Sequence, residues 1–228
     1  MGGQACVLYG AAEFSRDVDL AIIASPANLS RLRKALAELK ADVIAVPPFQ
    51  LKYLRKGHAI HFRCFAPETN GLRVDVMTKM RGVDSFAKLW RRRVTLEARN
   101  GTSYQLMSLP DLVTAKKTQR DKDWPMIRRL VEGNYFKHRE NATRSQLKFW
   151  FLELRTAELL LALASEHPKL CHTLATRRRL LKFGALHDKV TLTEALFEEE
   201  NAEREADRRY WAPLKAELEK LRHARLVR

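Results

Sequence analysis

The sequence predicts an α+β fold, with strands and helices interleaved over residues 1–108 and an all-helical region over residues 109–228. Three observations carry this expectation. Short apolar runs with a period of two alternate with amphipathic runs in the first part. Turn signals separate them, Asn100-Gly101 being the strongest. From Ser108-Leu109-Pro110-Asp111 onward, a good helix start with Pro in the first turn, nearly everything has helical spacing.

The elements follow in order. Gln4 to Ala12 has few breakers and reads as a short helix. Asp17 to Ala24 reads as a strand with Val18, Leu20 and Ile22 on one face. A turn at Ser25-Pro26 leads to a helix through about Lys40, capped by Asn28 or Ser30. In it Leu29, Leu32, Leu36 and Leu39 make the apolar stripe and leave Arg and Lys outward. Val43 to Val46 is a short strand stopped by Pro47-Pro48, and a short helix then ends near Gly57. Ala59 to Phe65 and Leu72 to Met77 are two strands joined by a turn-rich segment. Val83 to Trp90 is helical, and Val94 to Ala98 with Tyr104 to Met107 forms a hairpin. The helices beyond are expected at about 109–119, 122–132, 143–165, 173–183 and 192–222, with Pro213 kinking or breaking the last.

Composition excludes some classes. No apolar run approaches the roughly 20 residues of a membrane span. No basic stretch followed by an apolar one opens the sequence, so no signal peptide is expected. Cys6, Cys64 and Cys171 are far apart, in no metal-ligand spacing, which suggests a cytoplasmic setting. The net charge is +15, and residues 1–140 carry 25 Lys and Arg against 14 Asp and Glu. A basic surface attracts the phosphates of a nucleotide, an RNA or a membrane, although composition alone is equally compatible with no nucleic acid partner.

The candidate chemistry lies in carboxylates. Asp17 and Asp19 flank Val18 on a strand, so both point to one side, about 6–7 Å apart. Asp75, in Arg73-Val74-Asp75-Val76-Met77, also sits between apolar strand residues. Three carboxylates on one sheet face are costly unless cations fill the cluster. Oxygen ligands of this kind suit magnesium, which prefers carboxylates together with substrate phosphates.

A Gly-Gly pair (Gly2, Gly3), a short helix, Asp-x-Asp on the next strand and a later strand Asp resemble the signature of the polymerase-beta-like nucleotidyltransferases. The likeness covers residues 1–130. Within that superfamily the chain is most similar to the small bacterial proteins grouped with abortive-infection toxins, on Asp111-Leu112, Lys116 and Arg120-Asp121-Lys122-Asp123. The resemblance implies a nucleotidyltransferase-type mixed sheet with flanking helices. It also implies transfer of a nucleoside monophosphate from a triphosphate such as ATP to an acceptor hydroxyl.

Two Mg2+ ions would be bridged by Asp17 and Asp19. Asp75 would bind the catalytic ion and serve as base. Gly2, Gly3, Ser15, Lys116 and Arg120 would contact the nucleotide. The acceptor would be an RNA such as a tRNA end, with an antitoxin protein as partner. A small-molecule (antibiotic) adenylyltransferase and a catalytically impaired nucleotide-binding relative are the alternatives.

Two departures are visible. Relatives carry a strand ahead of the glycine pair, so the expected sheet lacks one or supplies it differently. Many also carry an Arg where this sequence has Glu13, ahead of Phe14-Ser15-Arg16. Other features have plainer readings beside the functional ones. Lys116 and Arg120 share a helix face that is equally a solvated basic surface. Asp121 or Asp123 is a natural helix cap. Arg91-Arg92-Arg93 is a solvated strand end or an RNA contact. The tryptophans are expected in packing, and no histidine is assigned to a metal.

Overall fold

The computed structural model describes residues 1–226 and has the mixed α+β architecture, with a small mixed sheet and a C-terminal helical region. The strands are β1 (Asp17–Ala21), β2 (Asp42–Val43), β3 (Ile60–Arg63), β4 (Arg73–Met77), β5 (Val94–Glu97) and β6 (Ser103–Leu106). The helices interleaved with them are α1 (Gly2–Leu8), α2 (Pro26–Glu38), α3 (Leu51–Lys56) and α4 (Phe86–Arg92). The remainder are α5 (Leu109–Lys116), α6 (Asp123–His138), α7 (Arg144–Glu153), α8 (Ala157–Glu166), α9 (Pro168–Leu174), α10 (Leu181–Ala185) and α11 (Lys189–Leu226). None of these helices is long and apolar enough to cross a membrane.

The chain divides into two compact units: residues 1–115 with those from 209 onward, and Lys116–Arg208. In the first unit the main sheet has the order β1-β4-β3-β2, so β1 is an edge strand. β1 runs parallel to β4, and β3 pairs antiparallel with both β4 and β2. β5 and β6 form a separate hairpin, closed by Gly101 at φ +79°.

Alternation along the strands sorts the residues. Ile60 and Phe62 of β3 and Val74 and Val76 of β4 join the core with Leu29 and Leu36 of α2 and Tyr53 and Leu54 of α3. The helix-spaced leucines of α2 thus cover one sheet face, leaving the opposite face to the charged residues of the same strands. Ser25, not Asn28 or Ser30, caps α2: its Oγ accepts from the Asn28 N–H at 3.2 Å, with Pro26 at the first helical position. Leu221, from the last turns of α11, also packs on this core.

The second unit is helical. Trp124, Ile127, Leu130, Val131 and Tyr135 recur at three- and four-residue spacing on α6 and are buried. Trp150 and Phe151 of α7, Leu160 and Leu163 of α8, and Leu192 of α11 extend this core. Thr143 starts α7 with a reciprocal capping box to Gln146.

Three helical expectations are corrected. The single helix over 143–165 is two, because Leu154 leaves helical geometry at ψ 139°. The helix expected at 173–183 is also two, α9 starting earlier at Pro168 and α10 beginning only at Leu181. Pro213 lies inside one helix of 38 residues instead of ending it. A proline removes a single helical hydrogen bond, and the helix continues because both flanking parts pack against buried side chains. Leu192 anchors the first part, and Leu221 the last.

Candidate active site

The parallel register sets Asp19 opposite Asp75 and Asp17 opposite Arg73. The antiparallel register of β3 sets His61 opposite Asp75. By strand alternation these five residues share the sheet face away from the core, on neighbouring strands about 4.8 Å apart. The three carboxylates singled out in the sequence therefore fall on one face, accompanied by Arg73 and His61.

Asp75 is only 7% exposed. Arg73 grips it with both ends of its fork, Nε donating to Oδ1 at 2.8 Å and Nη2 to Oδ2 at 2.9 Å. His61 Nδ1 lies 2.8 Å from the same Oδ1 and 3.0 Å from Arg73 Nη2. Protonated at Nδ1 it donates to the carboxylate; otherwise it accepts from the guanidinium. Burial works against ionisation of Asp75, but the hydrogen bonds from His61 and Arg73 outweigh it and hold the carboxyl below its usual range. The same bond raises the Arg73 guanidinium, with Asp17 and Asp19 adding to the field.

Asp19 leans on the glycine pair. Its Oδ2 accepts the Gly3 N–H at 3.2 Å. A Cβ at Gly2 would stand 1.8 Å from that oxygen, and Gly2 has φ +63°, where side chains are strained. A Cβ at Gly3 would stand 2.3 Å from Ser15 Oγ. Ser15 in turn donates to the Asp17 carbonyl at 3.0 Å, holding the turn into β1. The glycines lie within the first turn of α1, where the sequence reading placed them ahead of the helix. Their missing side chains make room for Asp19 and Ser15.

Asp17 is half-buried and, among the described residues, its carboxylate has no hydrogen bond or ion pair. Lys116 and Arg120 belong to the helical unit, where both hold the buried Asp123. Lys116 Nζ lies 2.9 Å from Oδ1, while Arg120 Nη2 lies 2.7 Å and Thr118 Oγ1 2.6 Å from Oδ2. Burial raises the Asp123 carboxyl, but Lys116, Thr118 and Arg120 outweigh it and bring it below its usual range.

Among the described residues no three His, Cys, Asp or Glu side chains converge closely enough to hold a metal ion. Arg73 occupies both oxygens of Asp75, and the Gly3 N–H occupies one of Asp19. The donor chemistry still fits a hard cation, since Asp17 and the second oxygen of Asp19 offer carboxylate oxygens with no hydrogen bond or ion pair among the described residues.

Sequence reasoning missed Arg73 and His61. Arg73 had a usable signal, standing two residues before Asp75 and hence on its face. His61 had none, because its position depends on strand pairing. No protein-family model matches the sequence, and no curated protein matches it at a significant level.

Proposed function

We propose that the protein is a magnesium-dependent nucleotidyltransferase that moves a nucleoside monophosphate from a triphosphate to an acceptor hydroxyl. One observation carries the reading: the parallel register that sets Asp19 beside Asp75, with Asp17 on the same face. Asp17 and Asp19 would hold magnesium, and Asp75 would join them once Arg73 turns away from it. When bound, the ions would offset the charge of the triphosphate and acidify the acceptor hydroxyl.

In the transfer the hydroxyl oxygen bonds to the α-phosphorus, the bond from the α-phosphorus to the bridging oxygen breaks, and pyrophosphate leaves. Released from Arg73, Asp75 would be free to bind the ion and to take the hydroxyl proton as general base. Arg73, tethered beside all three carboxylates, keeps the face balanced before substrate arrives. The excess of Lys and Arg favours an RNA acceptor, a tRNA end among them, over a cationic drug.

A second reading, a nucleotide-binding relative without transfer, draws on the Arg73 clamp over Asp75. The two are separated by incubating the protein with each labelled triphosphate, magnesium and total RNA. Label in RNA with pyrophosphate release, lost in Asp17→Asn with the circular dichroism unchanged, supports transfer. Nucleotide binding with no pyrophosphate on any acceptor would sink it.

A further inference from the structure

The helical unit holds a groove that the transfer reading does not use. It encloses about 520 Å³ between α9 and α10. His172, Thr176, Arg179 and Lys182 line it together with the apolar Ala175 and Leu186. Leu186 is 75% exposed, an open apolar surface beside exposed cations.

The surrounding sequence is free of acids. Between Glu166 and Asp188 stand Lys169, Arg177, Arg178, Arg179 and Lys182, with no Asp or Glu. Asp188 and Glu199, further along the chain, are occupied elsewhere. Asp188 accepts the Thr191 N–H at 3.0 Å, and Glu199 holds Arg178 and Arg155 at 2.8 and 2.7 Å. The contrast within this unit is informative: its buried arginines are matched to carboxylates, whereas Arg179 and Lys182 face the groove with no ion pair among the described residues.

We propose that this groove binds a segment of single-stranded nucleic acid, with phosphates on Arg179, Lys182 and His172 and a base against the apolar Ala175 and Leu186. Cations around an apolar concavity match a chain that alternates phosphates with flat apolar rings. An acidic peptide carries its charges on flexible stems with no such body, and α9 and α10, of seven and five residues, are too short to lie in a lipid surface as amphipathic helices. The volume lies within the range of ligand-sized clefts and accommodates one or two nucleotides, so a longer strand would extend along the basic rim.

The inference stands apart from the transfer reading, because an Asp17→Asn protein, inert in transfer, still binds. The test uses the full-length protein and a fluorescein-labelled single-stranded RNA, with anisotropy read over a salt series. Arg179→Gln with Lys182→Gln removes two phosphate contacts. At single-strand values the salt slope falls by about 1.4, and affinity at 0.1 M salt falls about 25-fold. Both side chains are exposed, so circular dichroism and melting stay as in the parent. Arg31→Gln with Lys34→Gln, on the outer face of α2, makes the same change in net charge and leaves binding within about twofold. Equal losses in the two double variants would reduce the effect to net charge and overturn the site. So would unchanged binding in the groove variant, or preferential binding of polyglutamate or of anionic phospholipid vesicles over RNA.

Discussion

Replacing Asp123 by alanine separates a structural role of Lys116 and Arg120 from a substrate role. The carboxylate is 2% exposed and the Lys116 side chain 12%, so their pair at 2.9 Å is buried. Removing one partner of a buried pair leaves the other charge uncompensated, at about 3–5 kcal/mol. Thr118 loses a hydrogen bond of about 1 kcal/mol, part of the same total. Arg120 is 56% exposed, so its share is screened to about 0.5 kcal/mol or less. Asp123→Ala is therefore expected to cost about 3–5 kcal/mol in urea unfolding, and Lys116→Met on that background to restore most of it.

The pH dependence has a definite sign. The Asp123 carboxyl is lower in the folded than in the unfolded chain. Its contribution is fully present above pH about 4 and disappears as pH falls through the folded value, so Asp123→Asn flattens the acid limb of stability. Arg120→Gln leaves the fold intact, and any loss of triphosphate affinity in it reports direct contact. A cost below about 1 kcal/mol for Asp123→Ala, or no recovery in the double variant, refutes the buried-pair argument.

Three further substitutions test the candidate site and the end of α11. Gly2→Ala meets Asp19, whereas Gly10→Ala meets no atom within 4 Å at a similar positive φ of +76°. The first should cost about 1.5–3 kcal/mol more in urea unfolding, for the lost charged hydrogen bond, and equal costs would show that Asp19 does not lean on the glycine. Arg73→Gln should raise the titration of Asp75, read by carboxyl carbon NMR, because burial then acts with less opposition. An unmoved titration curve rules out the clamp. Glu217→Ala leaves the buried His58, 3.0 Å from Oε2, without its partner and should cost about 1–2 kcal/mol in thermal melting. Glu217→Gln keeps an acceptor there and should cost less; equal losses would discount the bond.

What was legible in the sequence is what depends on local period. The strands containing Asp17, Asp19 and Asp75 came from alternation, and so did the shared face of the first two. The leucine stripe of α2 came from helical spacing. The rest of the pairing was invisible: nothing in the residues says that β4, not β2 or β3, lies beside β1, and the place of His61 opposite Asp75 hangs on the register of β3 with β4. Local breakers do not set the ends of the C-terminal helices, because packing overrides them. Leu154 ends α7 in a position where it is fully buried, and Pro213 is carried through by a helix anchored on both sides. Asp123 read as a cap on local grounds, yet it closes a buried ion cluster with Lys116, seven residues earlier.

The glycine pair and Arg73 turn out to serve the carboxylates themselves. Asp75 is balanced by Arg73, and Asp19 by the Gly3 N–H, so each is stable in the folded chain without any ligand. Of the three, Asp17 has no such partner among the described residues. It stands on the strand with Asp19, about 6.5 Å away by strand geometry, and diagonally from Asp75 across the parallel pair. The repulsion from Asp19 at that separation amounts to about 0.6 kcal/mol at the dielectric constant of water, rising toward 2.5 kcal/mol at an effective value of 20, and the one from Asp75, about 7–8 Å away, is somewhat smaller. Attraction to Arg73 offsets roughly one of the two. Asp17→Asn should thus leave stability unchanged or raise it by about 0.5–1 kcal/mol in urea unfolding, while abolishing any transfer. Such a gain is the pattern of a residue retained for function against the interest of the fold. A loss of more than about 1 kcal/mol would instead make Asp17 part of the scaffold and remove the electrostatic reason for assigning it to a cation.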